Sequence, residues 1–564
     1  MPFSVRWQRI IAYGTVALGV IVLGLMHRSE FLTDWDSFGY TYLATHRQSS
    51  SFYLGRWWFV GLMHAAWLLA RGIGGLTMND AHVPLQVTSL ALSALGAVGL
   101  AAWTGRLTGS RTAGNIAGVM AATGPVFWVY STSVMTEGLA LAAIAWSFYA
   151  WQRALSSPSD AEPGSGRAGL LWAGLAGFLF GVAVDVREPL VLFAAWPLAS
   201  CRMCPGPRRL VLLRAAVLGA ALSLSIGVAM GWAWSWRSGL GFFGSMLGWH
   251  HWITEATTQY PTRLSVNVAA VGSHLLDVVP LAVAVFLAVP VVAGLRAAWR
   301  LWRPGAHEEP VLRFTPAFWA ALASVPYVLS LIINTDLPFN VRYGLPLGWL
   351  ITPWAAELLA SWIRTPGSED DDPSWWRAVA AAVCCVYLVI WIAEPVIARR
   401  EQSCSGISRY RRSMLSLPRG SVVMAGNGAP VAKFLVRMRV RPDLQVVEGG
   451  WNFPTESIGE IVAQAFADGR AVYVHPYRHA WTRRGTVSEQ WRGVYRSVSR
   501  YECEALTPRT APLVRVRPRL REVRQGEDDP ATNRVLPCLL RDPASPAAPA
   551  DGPQSETKRE RHSA

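Results

Sequence analysis

The feature that most constrains this chain is a series of long apolar runs separated by short, arginine-bearing loops. The runs lie at about 10–26, 83–103, 112–129, 134–151, 168–184, 189–200, 210–234, 266–295, 314–333, 344–363 and 378–394. The ~30 Å hydrocarbon core of a bilayer takes about 20 helical residues to cross. A backbone inside lipid must satisfy its own polar groups, which leaves helices or closed barrels. The runs are too long for strands, and 52% of the residues are hydrophobic, with a mean hydropathy of +0.24. The expected class is therefore an α-helical polytopic membrane protein with about eleven transmembrane helices.

The first run follows Arg6 and Arg9, and no small-residue cleavage site comes after it. It reads as an uncleaved first span with a cytoplasmic N-terminus. The stretch 57–76 is half polar, with His64 and Arg71 inside. Cationic loops stay cytoplasmic. The loops holding Arg106 and Arg111, then Arg202, Arg208 and Arg209, then Arg296, Arg300 and Arg303 all reach that side if 57–76 does not cross. That stretch then belongs to a long first extracytoplasmic loop, about 27–82.

A net charge of +15 raises the question of nucleic acid, but no nucleic-acid motif is present. Arginine-rich loops facing anionic or phosphate-bearing lipids account for it better. The 28 tryptophans suit helix ends among lipid headgroups. Cys201-Arg-Met-Cys204 is a lone pair without the second pair that a zinc site needs. Cys404 and Cys503 are a candidate disulfide if their part of the chain is extracytoplasmic.

After residue 395 the composition turns soluble. Short strand-like stretches at 421–425, 444–447 and 471–474 alternate with helix-like stretches at 431–438 and 457–467. This alternation predicts a small C-terminal α/β domain with parallel strands over 396–522. Residues 523–564, rich in Pro, Ala, Asp and Arg, read as a disordered tail.

The expected topology places several polar residues on one, extracytoplasmic, face. Asp34 and Asp36 sit two residues apart in FLTDWDSFGYTYLA, among Phe31, Trp35, Phe38, Tyr40 and Tyr42. Glu137, Asp185, Arg187, Glu188, the loop 237–265, Arg342 and Tyr343 join them. Charges at span ends need partners or water, and their convergence on one face points to a site. An aromatic belt with two solvated acids is the plainer alternative for the first stretch. His250 and His251 diverge if helical and lack a second ligand pair. Trp249 and Trp252 beside them offer apolar faces for sugar stacking.

The order of these patterns resembles the GT-C fold glycosyltransferases that use polyprenyl-phosphate sugars, the protein O-mannosyltransferase and lipid A aminoarabinose transferase group. Asp34-Trp35-Asp36 followed by Tyr40 resembles that family's first-loop acid motif. Residues 109–130 followed by Glu137-Gly-Leu resemble its Ala-rich helix, proline, aromatic and acid passage. Val186-Arg187-Glu188-Pro189 resembles its Arg-Pro corner, and Arg342-Tyr343-Gly-Leu-Pro346 its Arg-Tyr before a proline-bearing span. The corner departs by an inserted glutamate, and the first loop lacks the mannosyltransferases' adjacent Asp-Glu pair. The resemblance covers roughly 1–395.

What the resemblance implies is a GT-C-like transmembrane catalytic domain over 1–395. It would transfer a sugar with inversion from a polyprenyl-phosphate donor to an extracytoplasmic glycolipid, polysaccharide or protein. The implied base is Asp36, with Asp34 as the alternative. Arg187 and Arg342 are the phosphate-binding candidates. Glu137, Tyr343, Tyr40, Trp249 and Trp252 complete the substrate-binding set, and Glu137 orients the acceptor, holds a divalent metal, or pairs one of the arginines. No metal-ligand set is assigned and no nucleotide cofactor is expected. The implied location is a bacterial inner membrane, with the C-terminal domain outside. A transporter or lipid flippase is the competing class; it predicts internal repeats and interrupted helices with polar residues at the midplane.

Overall fold

The computed structural model describes residues 3–32, 35–46, 56–156, 165–203, 208–236, 264–288, 315–332, 341–363, 375–425, 429–448, 455–474, 502–505 and 514–517. The chain divides into two compact units, Met1–Cys404 and Ser405–Ala564.

The first unit is helical. In chain order it holds α1 (Phe3–Met26), α2 (Trp35–His46), α3 (Trp57–Gly74), α4 (His82–Thr108), α5 (Arg111–Ala122), α6 (Pro125–Ser131), α7 (Glu137–Leu155) and α8 (Ser165–Val186). A 3-10 turn at Glu188–Ala194 leads to α9 (Ala195–Met203) and α10 (Arg208–Trp236). Then come α11 (Leu264–Val278), α12 (Pro280–Ala288), α13 (Pro316–Leu322), α14 (Val325–Ile332), the 3-10 turn Val341–Tyr343, α15 (Gly344–Ile363) and α16 (Trp375–Ser416), whose residues from Ser405 on belong to the second unit. Helix α4 packs on α5 and α7, and α8 packs between α7 and α10. Small residues make these contacts close, as membrane helix pairs require. At Gly177 of α8 a Cβ would overlap the carbonyl of Leu218 on α10.

Among the described residues four helices are long and apolar enough to cross a bilayer: Trp7–Met26, Met78–Thr108, Arg167–Val186 and Arg208–Ala229. The bent pair Val268–Val278 and Pro280–Ala288 makes a fifth if it is one span. Large apolar side chains face outward along them, such as Ile11 at 65%, Leu212 at 68% and Leu224 at 63%. Lipid, not water, is the solvent that such faces fit, and the chain is an integral membrane protein.

Several apolar runs are broken rather than continuous. The run 112–129 divides into α5 and α6 because Pro125 has no N–H to continue the ladder and holds Gly124 extended, at φ −70° and ψ 116°. The run 266–295 bends by 107° between Val278 and Pro280. The run 189–200 begins as a 3-10 turn behind Pro189. The run 314–333 divides between α13, capped by the Thr315 hydroxyl, and α14. Helix α3, in the stretch expected not to cross, is not among the span-capable helices. It buries Trp57, Phe59, Val60, Met63 and Trp67 and exposes Leu69 and Ile73.

In the second unit β1 (Val422–Ala425), α17 (Ala429–Arg437), β2 (Gln445–Glu448), α18 (Thr455–Ala467) and β3 (Val472–Val474) alternate. Strands β4 (Glu502–Ala505) and β5 (Val514–Arg517) follow. The sheet order is β2-β1-β3-β5-β4. Strand β1 pairs in parallel with β2 and β3; β5 pairs antiparallel with β3 and β4. The apolar β1 lies at the centre of the parallel part, with Val422 and Val423 fully buried.

Candidate active site

Four charged side chains from four separate segments meet at one end of the helical unit. Asp36 lies in the first turn of α2, Glu137 opens α7, Arg187 joins α8 to the 3-10 turn, and Arg342 is the centre of Val341–Tyr343. Arg342 Nη2 donates to Asp36 Oδ2 at 2.8 Å. Arg342 Nε lies 3.7 Å from Glu137 Oε1, and Arg187 Nη1 donates to the same oxygen at 2.5 Å. The Tyr343 ring stacks with both guanidiniums, 4.7 Å from Arg187 Cζ and 5.6 Å from Arg342 Cζ. Below it, the Tyr327 hydroxyl donates to the Tyr343 carbonyl at 3.0 Å.

The quartet carries two negative and two positive charges, so it is neutral as a unit. Glu137 and Arg187 are buried, at 3% and 6% exposure. Isolated ions would not survive such burial, but paired ones do. The pairing is incomplete. Among the described residues, Glu137 Oε2, Arg187 Nη2 and Arg342 Nε are buried and have no hydrogen-bond partner. Two donors and one acceptor of the quartet are thus left unsatisfied by the described residues. Burial pushes the Asp36 carboxyl up, but the guanidiniums of Arg342 and Arg56 outweigh it and hold it below the usual carboxylate range.

Arg56, at the head of α3, was not singled out from the sequence. It donates to the hydroxyl of Tyr40, which is fully buried and packs edge-on against Phe59 at 5.1 Å. The following backbone is tied down as well, because Trp58 N donates to Asp185 Oδ2 of α8 at 3.0 Å. A lone arginine opening an aromatic amphipathic helix was the available signal. Met135 was also missed: its sulfur accepts from Arg342 Nη1 at 3.7 Å and Ser37 Oγ at 3.8 Å.

Asp36, Glu137, Arg187, Arg342 and Tyr343 are therefore in mutual contact, with Tyr40 linked through Arg56. Asp34, Trp249, Trp252, His250 and His251 lie outside the described residues, as do the side chains of Trp35, Cys404 and Cys503. Among the described residues no group of three or more His, Cys, Asp or Glu gathers as a metal site.

No family model and no curated protein sequence matches the chain. Solved structures resemble it. It is similar to the oligosaccharyltransferase of Archaeoglobus fulgidus in the apo form, at 12% identity and a TM-score of 0.47, over 84% of this chain and 70% of that one. It is similar to ArnT of Cupriavidus metallidurans in the apo state, at 12% identity and a TM-score of 0.48, over 91% of this chain and 98% of that one. ArnT of the same organism bound to undecaprenyl phosphate matches at 13% identity and a TM-score of 0.47, over 83% and 93%.

Proposed function

We propose that the protein is a membrane glycosyltransferase of GT-C type that moves a sugar, with inversion, from a polyprenyl-phosphate donor to an extracytoplasmic acceptor. The observation that carries the reading is the buried, neutral quartet Asp36–Arg342–Glu137–Arg187 with its unpartnered donors. Its members include the acid and the two arginines to which the sequence resemblance gives the roles of base and phosphate binders.

A donor phosphate approaching this quartet takes the open Nη2 of Arg187 and competes with Asp36 for Arg342. Arginine's planar fork suits phosphate oxygens. Once Arg342 turns to phosphate, Asp36 loses the cation that holds its proton affinity down and becomes a better base. The acceptor oxygen or nitrogen then forms its bond to the anomeric carbon as the carbon–oxygen bond to phosphate breaks. The phosphate leaves with the electron pair, its charge held by the arginines, and Asp36 takes the acceptor's proton. Glu137 keeps Arg187 charged and oriented. On this reading residues 1–395 form the catalytic domain with about eleven spans, 396–522 an extracytoplasmic domain, and the protein resides in a bacterial inner membrane. The acceptor is a glycolipid, polysaccharide or protein.

Sugar transfer in reconstituted membranes tests the reading, with a panel of labelled polyprenyl-phosphate sugars and extracted envelope acceptors. Wild type transfers one sugar, and Asp36→Asn loses about 10²–10⁴-fold in turnover while retaining donor binding. Equal transfer by both proteins removes Asp36 as base. The sharply bent pair α11–α12 favours a second reading, a transporter or lipid flippase, because interrupted helices build transport sites. Flux of the lipid-linked sugar without covalent transfer would establish it.

A further inference from the structure

At the end of the bundle opposite Asp36, several helix ends carry arginines that have no counter-charge among the described residues. Arg106 lies near the C-terminus of α4, Arg153 near that of α7, and Arg214 near the start of α10. Arg214 is 2% exposed, yet its Nε and Nη2 have no hydrogen-bond partner. Its guanidinium lies against Gly169 in the second turn of α8. A Cβ on Gly169 would meet Nη2 at 2.7 Å, Nε at 2.9 Å and Cζ at 3.0 Å. The missing side chain is what lets the cation approach the start of α8, whose first N–H groups already carry partial positive charge. One turn on, Trp172 of α8 stacks under Arg153 at 5.0 Å from Cζ. In the last turn of α4, Arg106 Nε is also buried without a partner among the described residues. Among the described residues none of these three arginines forms an ion pair.

The tendency of cationic loops to stay on one side of a membrane accounts for exposed arginines such as Arg167, Arg208 and Arg209. It does not account for Arg214, because an unpaired buried cation is strongly unfavourable. The floor beneath is a packed apolar cluster of Trp151, Ala154, Ala173 and Ala176, with Trp151 Nε1 tied to Ser200 Oγ at 2.7 Å. The rim is lipid-facing: Leu171 is 76% exposed, Leu212 68% and Leu213 49%. Buried cationic donors directly beside exposed leucines match an amphiphile with an anionic head and apolar tails. Free phosphate has no use for the leucines.

We propose that Arg214 holds the phosphate diester of an anionic diacyl phospholipid at the start of α8, its acyl chains lying along Leu171 and Leu212. Basic pockets between membrane helices bind anionic headgroups in this way. The site is separate from the Asp36 quartet and does not depend on the transferase reading.

The test uses the full-length protein in neutral detergent, with wild type compared to Arg214→Gln. Melting temperature and bound lipid, counted by native mass spectrometry, are followed with phosphatidylglycerol, phosphatidylcholine or inorganic phosphate. Wild type is stabilised by phosphatidylglycerol alone. Arg214→Gln binds it about tenfold more weakly, as the loss of a charge-assisted contact implies. Without lipid the variant melts at or above wild type, since it has lost an unpaired charge. Should Arg214→Gln fail to fold, Gly169→Ala, which fills the cradle, shows the same loss of response. Equal responses of wild type and variants, or stabilisation by phosphate alone, overturn the proposal. So does a drop in lipid-free melting temperature for Asp160→Asn with Glu162→Gln. Those acids lie in 157–164, outside the described residues, and such a drop would make them the counter-charge.

Discussion

Glu137→Gln isolates the role of charge in the quartet, because it keeps the shape and leaves an amide oxygen facing Arg187. Glu137 Oε1 accepts from Arg187 Nη1 at 2.5 Å and stands 3.7 Å from Arg342 Nε, at 3% exposure. Breaking a buried ion pair from one side costs about 3–5 kcal/mol, mainly because the other charge stays buried without compensation. Arg187 is that charge, and its Nη2 already has no partner. The expected effect is a melting temperature about 3–4 °C below wild type in detergent, by the usual relation between free energy and melting shift. Arg187→Met alone should cost a similar amount by stranding Glu137. The double variant Glu137→Gln with Arg187→Met should recover about 1 kcal/mol or more relative to the sum of the singles. Single variants within 1 °C of wild type, or strict additivity in the double, would falsify the claim that these two residues neutralise one another in a dry site.

Gly177→Leu should abolish detergent-stable protein, since even a Cβ overlaps the Leu218 carbonyl of α10; size-exclusion chromatography reads this directly. In sugar-transfer assays, the acid limb of the wild-type pH–rate profile for kcat/KM should lie below the usual carboxylate value. Arg342 and Arg56 keep Asp36 ionised until the pH falls past that value. In Arg342→Met burial dominates and the limb should move upward; an unmoved limb excludes the Asp36–Arg342 coupling. In the sheet-bearing unit Arg441 donates to Asp443, Met414 O and Pro418 O. Those hydrogen bonds hold the Asp443 carboxyl well below the usual carboxylate range. The stability they contribute is present above the unfolded carboxylate pKa of about 3.9 and lost as pH falls below it. Asp443→Asn should therefore speed amide exchange in β1 and β2 at pH 7, and the difference should shrink steadily as the pH falls below about 4.

How much of this was legible in the sequence depends on whether a feature is local. The strand stretches 421–425, 444–447 and 471–474 coincide with β1, β2 and β3, because an apolar run of four or five residues between turns is a local signal. Strands β4 and β5 were not foreseen. Val514–Arg517 alternates valine with arginine, a short period-2 signal that was overlooked, whereas Glu502–Ala505 has no such pattern and its pairing with β5 is a tertiary fact. The helix breaks were underweighted although Pro125 and Pro280 were in plain sight, because hydropathy averages over a proline that backbone geometry does not forgive. In the site, Asp36 and Arg342 are 306 residues apart. Their type and expected face were readable, but their 2.8 Å contact was not. Arg56 escaped because its importance comes from the docking of α3 on Asp185, which no local pattern announces.

The two ends of α7 and α8 handle buried charge in opposite ways, and this sets what each end can bind. At one end both guanidiniums of the quartet meet a carboxylate, so the quartet has no net charge to attract an anion from a distance. A phosphate held by Arg187 Nη2 draws Arg342 from Asp36 as it settles. Binding and the release of Asp36 are then one event, and on the proposed reading an empty site has its base held inactive. At the other end Arg214, Arg153 and Arg106 have no described counter-charge, so an anion gains the full attraction and displaces nothing. Such a place suits a resident ligand that stays, and the exposed leucines around it fit a lipid. A transient substrate site and a permanent lipid site are thus distinguished by a single property, whether the buried arginine already has a partner to lose.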